Sequence, residues 1–130
     1  MKKINLLFFI IVISSISLFS QKKIEPVFAK NHVGDTVIVT GTVDQVYKSR
    51  TGTFFLNMGK PPFYDFTAVV FASDTNKFGD LNSFPSEIVE ISGVIQLYKG
   101  TPQIILRNDN QLKFISGPPK LEKPIPSYTQ

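Results

Sequence analysis

Two Tyr-Lys pairs offer the chemistry most open to view in this chain. Tyr47-Lys48 ends the run VTGTVDQVYK and leads into Ser49-Arg50-Thr51-Gly52. Tyr98-Lys99 ends ISGVIQLYK and leads into Gly100-Thr101-Pro102. A tyrosine ring stacks on a base or a sugar face while a nearby ammonium meets a phosphate, and such stacking is worth about 1–3 kcal/mol per base. Arg50 adds a cation beside the first pair. A plainer reading stands next to this one. Tyrosine at a strand end covers the core with its ring and reaches water with its hydroxyl, and lysine at a hairpin tip keeps an edge soluble.

Other chemistries find little here. His32 is the sole histidine and there is no cysteine, so thiol nucleophiles and zinc-cysteine sites are excluded. One histidine without a carboxylate pair makes neither a hydrolytic triad nor a metal site; a cap or surface role before Gly34 fits it better. No nucleophile motif or phosphate-cradling glycine loop is present. Arginine occurs only as Arg50 and Arg107, and Asp44 is the one acid near the first tip, too little for a metal-dependent nuclease. The sequence reads as a non-enzyme with no cofactor and no metal.

The elements that hold the pairs follow a β pattern. Thr36 to Tyr47 alternates apolar residues around Gly41, and an interior strand glycine marks a bulge or sharp bend. Thr53–Met58 gives a second strand and Phe66–Phe71 a third. The two prolines of GKPPFYD exclude a central strand between them. Ser73-Asp74-Thr75 offers an N-cap for a short helix reaching Phe78. Ile88–Tyr98, with Gly93 inside it, is a fourth strand and Gln103–Leu106 a fifth, which Gln111–Ile115 can extend. Before them, Ile24, Val27 and Phe28 are spaced to pack as a brief helical turn with Pro26 in its first turn. The runs VIVTGTVDQVYK and IVEISGVIQLYK repeat strand, glycine, strand, Tyr-Lys with one residue of slip. Five strands with a short helix or helical link between the third and fourth fit an all-β, five-stranded Greek-key barrel, the OB-fold.

The series HVGDTVIVTGTV, FFLNMG, FTAVVF and ISGVIQLYKGTPQIILRNDNQL resembles the bacterial OB-fold domains of the nucleic-acid-binding, tRNA-anticodon/helicase-like type, including members of exported proteins. The likeness spans about residues 30 to 115. It implies a binding module, although OB-folds also take oligosaccharides and proteins. Binding in this fold uses the face of strands two and three and the two flanking loops. The candidate nucleic-acid-binding residues are therefore Tyr47, Lys48, Arg50, Phe55, Asn57, Phe66, Tyr98, Lys99 and Arg107. Alternation puts Phe54, Leu56 and Met58 on one side and Phe55 and Asn57 on the other. Leu56 and Phe71 are expected in the core, and Phe55, Asn57 and Phe66 toward the groove. Lys60, Arg107 and Lys113 can extend a basic rim or lie scattered on a solvated surface.

The ends suggest export. Lys2 and Lys3 precede fourteen uncharged residues, Leu6 to Phe19, and Ser20 is followed by a polar stretch. That is a signal-peptide layout, short of the roughly 20 apolar residues of a membrane span; a retained N-terminal anchor is the alternative. Cleavage near Ser20 would leave 12 basic against 10 acidic residues in place of 14 against 10, so net charge falls from +4 to +2. Bulk charge then argues for no polyanion partner; only local clustering does. The expected organisation is a signal peptide over 1–20, a lead-in over 21–33, the OB domain over 34–116 and a proline-rich disordered tail over 117–130. The expected place is the periplasm or outside the cell. One reading is a module for single-stranded nucleic acid without sequence preference. The other is an envelope domain that binds a protein, a glycan or another small ligand.

Overall fold

The computed structural model describes residues 21–115. The leader expected over 1–20 and the tail expected over 117–130 fall outside them. Nine short strands form two sheets. The first sheet has the order β1-β2-β6-β9, with β1 (Lys22–Ile24), β2 (Thr36–Thr42), β6 (Ile88–Val94) and β9 (Leu112–Phe114). The second has the order β3-β4-β5-β8-β7, with β3 (Gln45–Lys48), β4 (Phe54–Met58), β5 (Phe66–Val70), β7 (Gln96–Tyr98) and β8 (Thr101–Ile105). All neighbours are antiparallel except β1–β2 and β5–β8. Each sheet taken alone is open.

The two long strands expected from the repeat are each divided in two. β2 passes to β3 through Val43-Asp44, and β6 passes to β7 through Ile95 alone. The break therefore falls two residues beyond each glycine, not at it. Val43 and Ile95 are both fully buried, and they are bonded alike. Ser86 N–H donates to the Val43 carbonyl at 2.7 Å, and Val43 N–H donates to Glu87 at 2.9 Å. Gly34 N–H donates to the Ile95 carbonyl at 2.8 Å, and Ile95 N–H donates to Asp35 at 3.0 Å. Each corner so extends the β2–β6 ladder by one residue before its strand joins the other sheet. The turns entering β6 and β2 carry matching left-handed residues, Ser86 at φ 72° and Gly34 at φ 89°.

The mid-strand glycines serve close approach. Gly41 pairs with Val89 and Gly93 with Val37 in an unbroken ladder. A Cβ on Gly41 would stand 2.6 Å from Pro26 Cγ, and one on Gly93 would stand 2.6 Å from Ile104 Cγ2. Pro26 opens a 3-10 segment, Pro26–His32, whose buried residue is Ala29. Val27 and Phe28, expected to pack, are exposed, and Ile24 packs from a strand. A 3-10 turn advances about three residues per revolution, not 3.6, which rotates the buried position onto Ala29.

Between β5 and β6 the chain makes two 3-10 turns, Ala72–Lys77 and Leu81–Ser83. The first starts at Phe71 without a side-chain cap, so Ser73 does not cap it. The expected extension of the last strand is separate: β9 leaves β8 and pairs with β6 in the other sheet. Gln111 makes that turn. Its Oε1 accepts from the N–H groups of Arg107 and Asn108 at 2.8 and 3.1 Å, and its Nε2 donates to the carbonyls of Ser92 and Ile105 at 3.0 and 3.1 Å. Inward residues from both sheets, among them Val39, Leu56, Phe66, Ile91, Ile104 and Leu106, share one core. No helix among the described residues is long and apolar enough to cross a membrane.

The Gly93–Ile104 contact gives a test. Gly93→Ala is expected to lower unfolding stability by about 1–3 kcal/mol, because the new methyl overpacks the core against Ile104 and must sit at φ 155°, a backbone conformation that side chains rarely adopt. Ile104→Ala should then cost less in the Gly93→Ala background than alone. A urea double-mutant cycle with no coupling would show that the glycine is not there to admit Ile104.

Candidate functional site

Alternation along β4 sends Phe54, Leu56 and Met58 into the core and Phe55 and Asn57 outward, as expected. Register then fixes the neighbours on that outer face. Tyr47 and Gln45 on β3 pair with Phe55 and Asn57, and Val69 and Thr67 on β5 pair with the same two residues from the other side. Gln103 on β8 pairs with Thr67, and Tyr98 on β7 pairs with Thr101. One face of the five-stranded sheet thus carries Tyr47, Phe55, Val69, Gln103 and Tyr98.

That face has a closed end and an open end. At the closed end the Thr67 hydroxyl donates to Asn57 Oδ1 at 2.9 Å, and both residues are only 7% exposed. Tyr64 reaches this end from the loop after β4, its hydroxyl donating to Gln45 Oε1. Asp44 ties the start of the same loop, accepting from Gly59 N–H at 2.6 Å. At the open end lies a concavity of about 390 Å³ lined by Ser49, Thr51, Thr53, Phe55, Val69, Phe71, Tyr98 and Gln103. Its lining combines three rings and a valine with three hydroxyl side chains and one amide.

Two turns frame this groove. In the first, Ser49 N–H donates to the Thr53 carbonyl at 2.8 Å. The Ser49 hydroxyl accepts from Thr53 N–H at 3.1 Å and lies 3.1 Å from the Thr51 hydroxyl. These bonds fix the tip on which exposed Arg50 stands. In the second, Lys99 and Gly100 are the two residues between β7 and β8, with φ of 48° and 82°. Positive φ at both central residues is the type I′ hairpin turn, whose twist matches the strands.

The Tyr-Lys pairs behave differently at the two turns. The Tyr47 ring lies 6.0 Å from the Phe55 ring but outside the groove lining, which Phe55 and Tyr98 share. Lys99 stays with its tyrosine, its ammonium 5.4 Å from the Tyr98 ring centroid. Lys48 does not. It pairs with Phe54 across the strands, and its ammonium lies 5.4 Å from that inward ring. Adjacent strand residues face opposite sides, so one member of the first pair turns away from the groove.

Other expected site residues are placed as follows. Phe66 is fully buried and cannot face the groove, whereas Phe71, expected in the core, is 41% exposed and lines it. The correction follows from register: Met58, Leu56 and Phe54 pair with Phe66, Ala68 and Val70, so one inward set dictates the other. Arg107 lies just past β8, outside the groove lining; its carbonyl accepts from Lys77 at 2.9 Å. Lys60 follows β4 at the end away from the groove, and Lys113 lies on β9 of the other sheet. His32 Nδ1 lies 3.2 Å from the Asp35 carboxylate. Among the described residues no three His, Asp or Glu side chains gather to hold a metal. Sequence reasoning missed Phe71, Val69, Gln103 and the three hydroxyl residues. The signal for Phe71 was the phase of Leu56 carried across the ladder.

No protein-family model matches the chain, and no curated protein matches it in sequence. Among solved structures it is similar in fold to a chain of Leishmania major Friedlin assigned as an aspartyl-tRNA synthetase, at TM-score 0.50 and 11% identity, over 77% of this chain and 22% of that one. Asparaginyl-tRNA synthetase of Entamoeba histolytica, in complex with asparaginyl-adenylate, aligns at TM-score 0.48 and 22% identity over 77% of this chain and 25% of that one. This chain spans about a quarter or less of the length of each.

The hairpin turn makes a prediction. Asparagine tolerates left-handed backbone better than lysine does. Lys99→Asn is therefore expected to hold or raise the melting temperature, whereas Lys99→Val lowers stability by about 1 kcal/mol. Equal melting temperatures for both variants would refute the turn assignment.

Proposed function

We propose that the chain is an exported, non-enzymatic OB-fold module that holds single-stranded nucleic acid on the outer face of β3, β4, β5, β8 and β7. In this reading the two sheets are two sides of one five-stranded barrel, because β2–β3 and β6–β7 each run from one sheet into the other. The fold likeness to a protein assigned as an aspartyl-tRNA synthetase supports the reading. The observation that carries it is the set of rings on one face, Tyr47, Phe55, Phe71 and Tyr98, with Lys99 and Arg50 on the two framing turns. Each ring offers a stacking surface that every base can use. The cations meet the backbone, so the site tolerates many sequences.

Fluorescence anisotropy with a labelled oligonucleotide tests this. Binding is expected at low salt. Tyr98→Ala, at a residue 55% exposed and dispensable for the core, should weaken it about tenfold. Two phosphate contacts, from Lys99 and Arg50, predict a log–log salt slope of about −1.4. No binding at low salt, or binding of an oligosaccharide in its place at the same groove, refutes the proposal.

Export is tested separately. Expressed in a bacterium with residues 1–20 intact, the protein should appear in the periplasm or medium with its N-terminus near Gln21 by mass spectrometry. Recovery of the full-length chain in the membrane fraction would support the retained anchor instead.

A further inference from the structure

Phe63 is 87% exposed, more than any other large apolar side chain among the described residues. The loop that carries it, between β4 and β5, is nonetheless braced. Gly59 N–H donates to Asp44, Asp65 N–H donates to the Met58 carbonyl at 2.9 Å, and the Tyr64 hydroxyl donates to Gln45. Pro61 and Pro62 restrict the backbone just before the ring. A ring held out on a braced loop loses little freedom when it is covered, which suits it to anchor a contact. Its setting is acidic. Asp44 and Asp65 line one concavity with Phe63 and Lys60, and the same two acids join Glu25 and Val27 in the adjoining one. None of the three acids is in an ion pair among the described residues, so three carboxylates against one ammonium leave a net −2. Such a field repels phosphate, so a nucleic-acid strand is a poor cover for Phe63.

We infer that Phe63 docks in the aromatic groove of a second copy of this chain, joining copies head to tail. The two surfaces are complementary in kind. The groove offers a ring Phe55, Val69, Phe71 and Tyr98 in a concavity of about 390 Å³, and no acid lines it. Exposed Arg50 and Lys99 on its framing turns meet the carboxylates that flank the incoming ring. A ring beside carboxylates shows the groove the same two features as a base beside a phosphate. One copy cannot satisfy itself, because loop and groove lie at opposite ends of β4. The five residues of that strand span about 17 Å. The contact joins unlike patches, so each copy keeps a free ring or a free groove and association is open-ended. It is small, and therefore weak and confined to concentrated protein. It also fills the groove, so it opposes nucleic acid; that consequence alone rests on the reading above.

Sedimentation of the purified protein at low salt, from about 0.02 to 1 mM, tests this. The weight-average mass should climb past that of a dimer, and fall toward that of a monomer as salt is raised. Phe63→Ser should sediment as a monomer, and so should Tyr98→Glu, which sets a carboxylate against the incoming acids. Both positions are exposed and dispensable for the core. An equimolar mixture of the two variants should form dimers and nothing larger, because it holds one intact ring and one intact groove per pair. A short oligodeoxythymidylate should return the wild type to single copies. Wild type that stays monomeric at the highest concentration, Phe63→Ser that associates like the wild type, or a mixture that stays monomeric overturns the docking of ring in groove. Copies that stay associated while the oligonucleotide is bound overturn the competition. Association of the wild type and loss of it in Phe63→Ser, with no oligonucleotide bound, supports the contact and removes the nucleic-acid reading.

Discussion

The antiparallel ladder between β2 and β6, ended at each side by a buried corner residue, is the constraint on which the remaining structure depends. Val43 and Ile95 each exchange two backbone hydrogen bonds with the turn that enters the partner strand. These bonds let the chain leave one sheet with its polar groups satisfied inside the core, where an unpaired amide would cost roughly 1–3 kcal/mol. Once the corners are fixed, β3 and β7 are aimed, and with them the two edges of the second sheet. The side chains Tyr47 and Tyr98 lie far apart in sequence and at opposite edges of that sheet, yet both meet the surroundings of Phe55.

The groove exists because one face of the second sheet is finished at only one end. The Asn57–Thr67 bond and Tyr64 close one half with polar contacts that are internally satisfied. The other half keeps three rings, a valine and an unengaged amide in contact with solvent. Exposed rings grouped in a concavity differ from exposed rings scattered on a surface, because they leave an apolar patch that a flat partner can cover. Of the two arrangements the sequence left open for the outlying cations, a basic rim or a scattered surface, the scattered one is found. Lys48 is spent over Phe54, and Lys60, Arg107 and Lys113 stand outside the groove lining, so stacking outweighs charge in this site.

Much of the architecture was legible in the residues. Strand alternation located Leu56 inside and Phe55 outside, and the repeat of strand, glycine, strand, Tyr-Lys announced two related arms. Pairing register was not legible, since no single strand states which neighbour it will meet. That is why Phe66 and Phe71 were assigned to each other's sides. The glycines were read as bends when their use is clearance for Pro26 and Ile104, a distinction that depends on what packs across the sheet. The fifth strand was read as starting at Gln103, after Pro102, yet Pro102 sits near the start of β8, before that strand meets β5. Gln103 drew no notice because an isolated glutamine has meaning only from its surroundings.

Asp44 is the residue by which the two arms differ. The first corner spans two residues and the second one, which accounts for the slip between the repeats. A single added residue inside a strand reverses the facing of everything after it. Here the surplus is absorbed where the backbone already changes sheets, so Tyr47 and Tyr98 keep the same outward orientation. Corners of this kind are consequently places where chain length can vary without inverting the strand beyond, and an insertion only two positions later would send Tyr47 inward and bring Lys48 out in its stead.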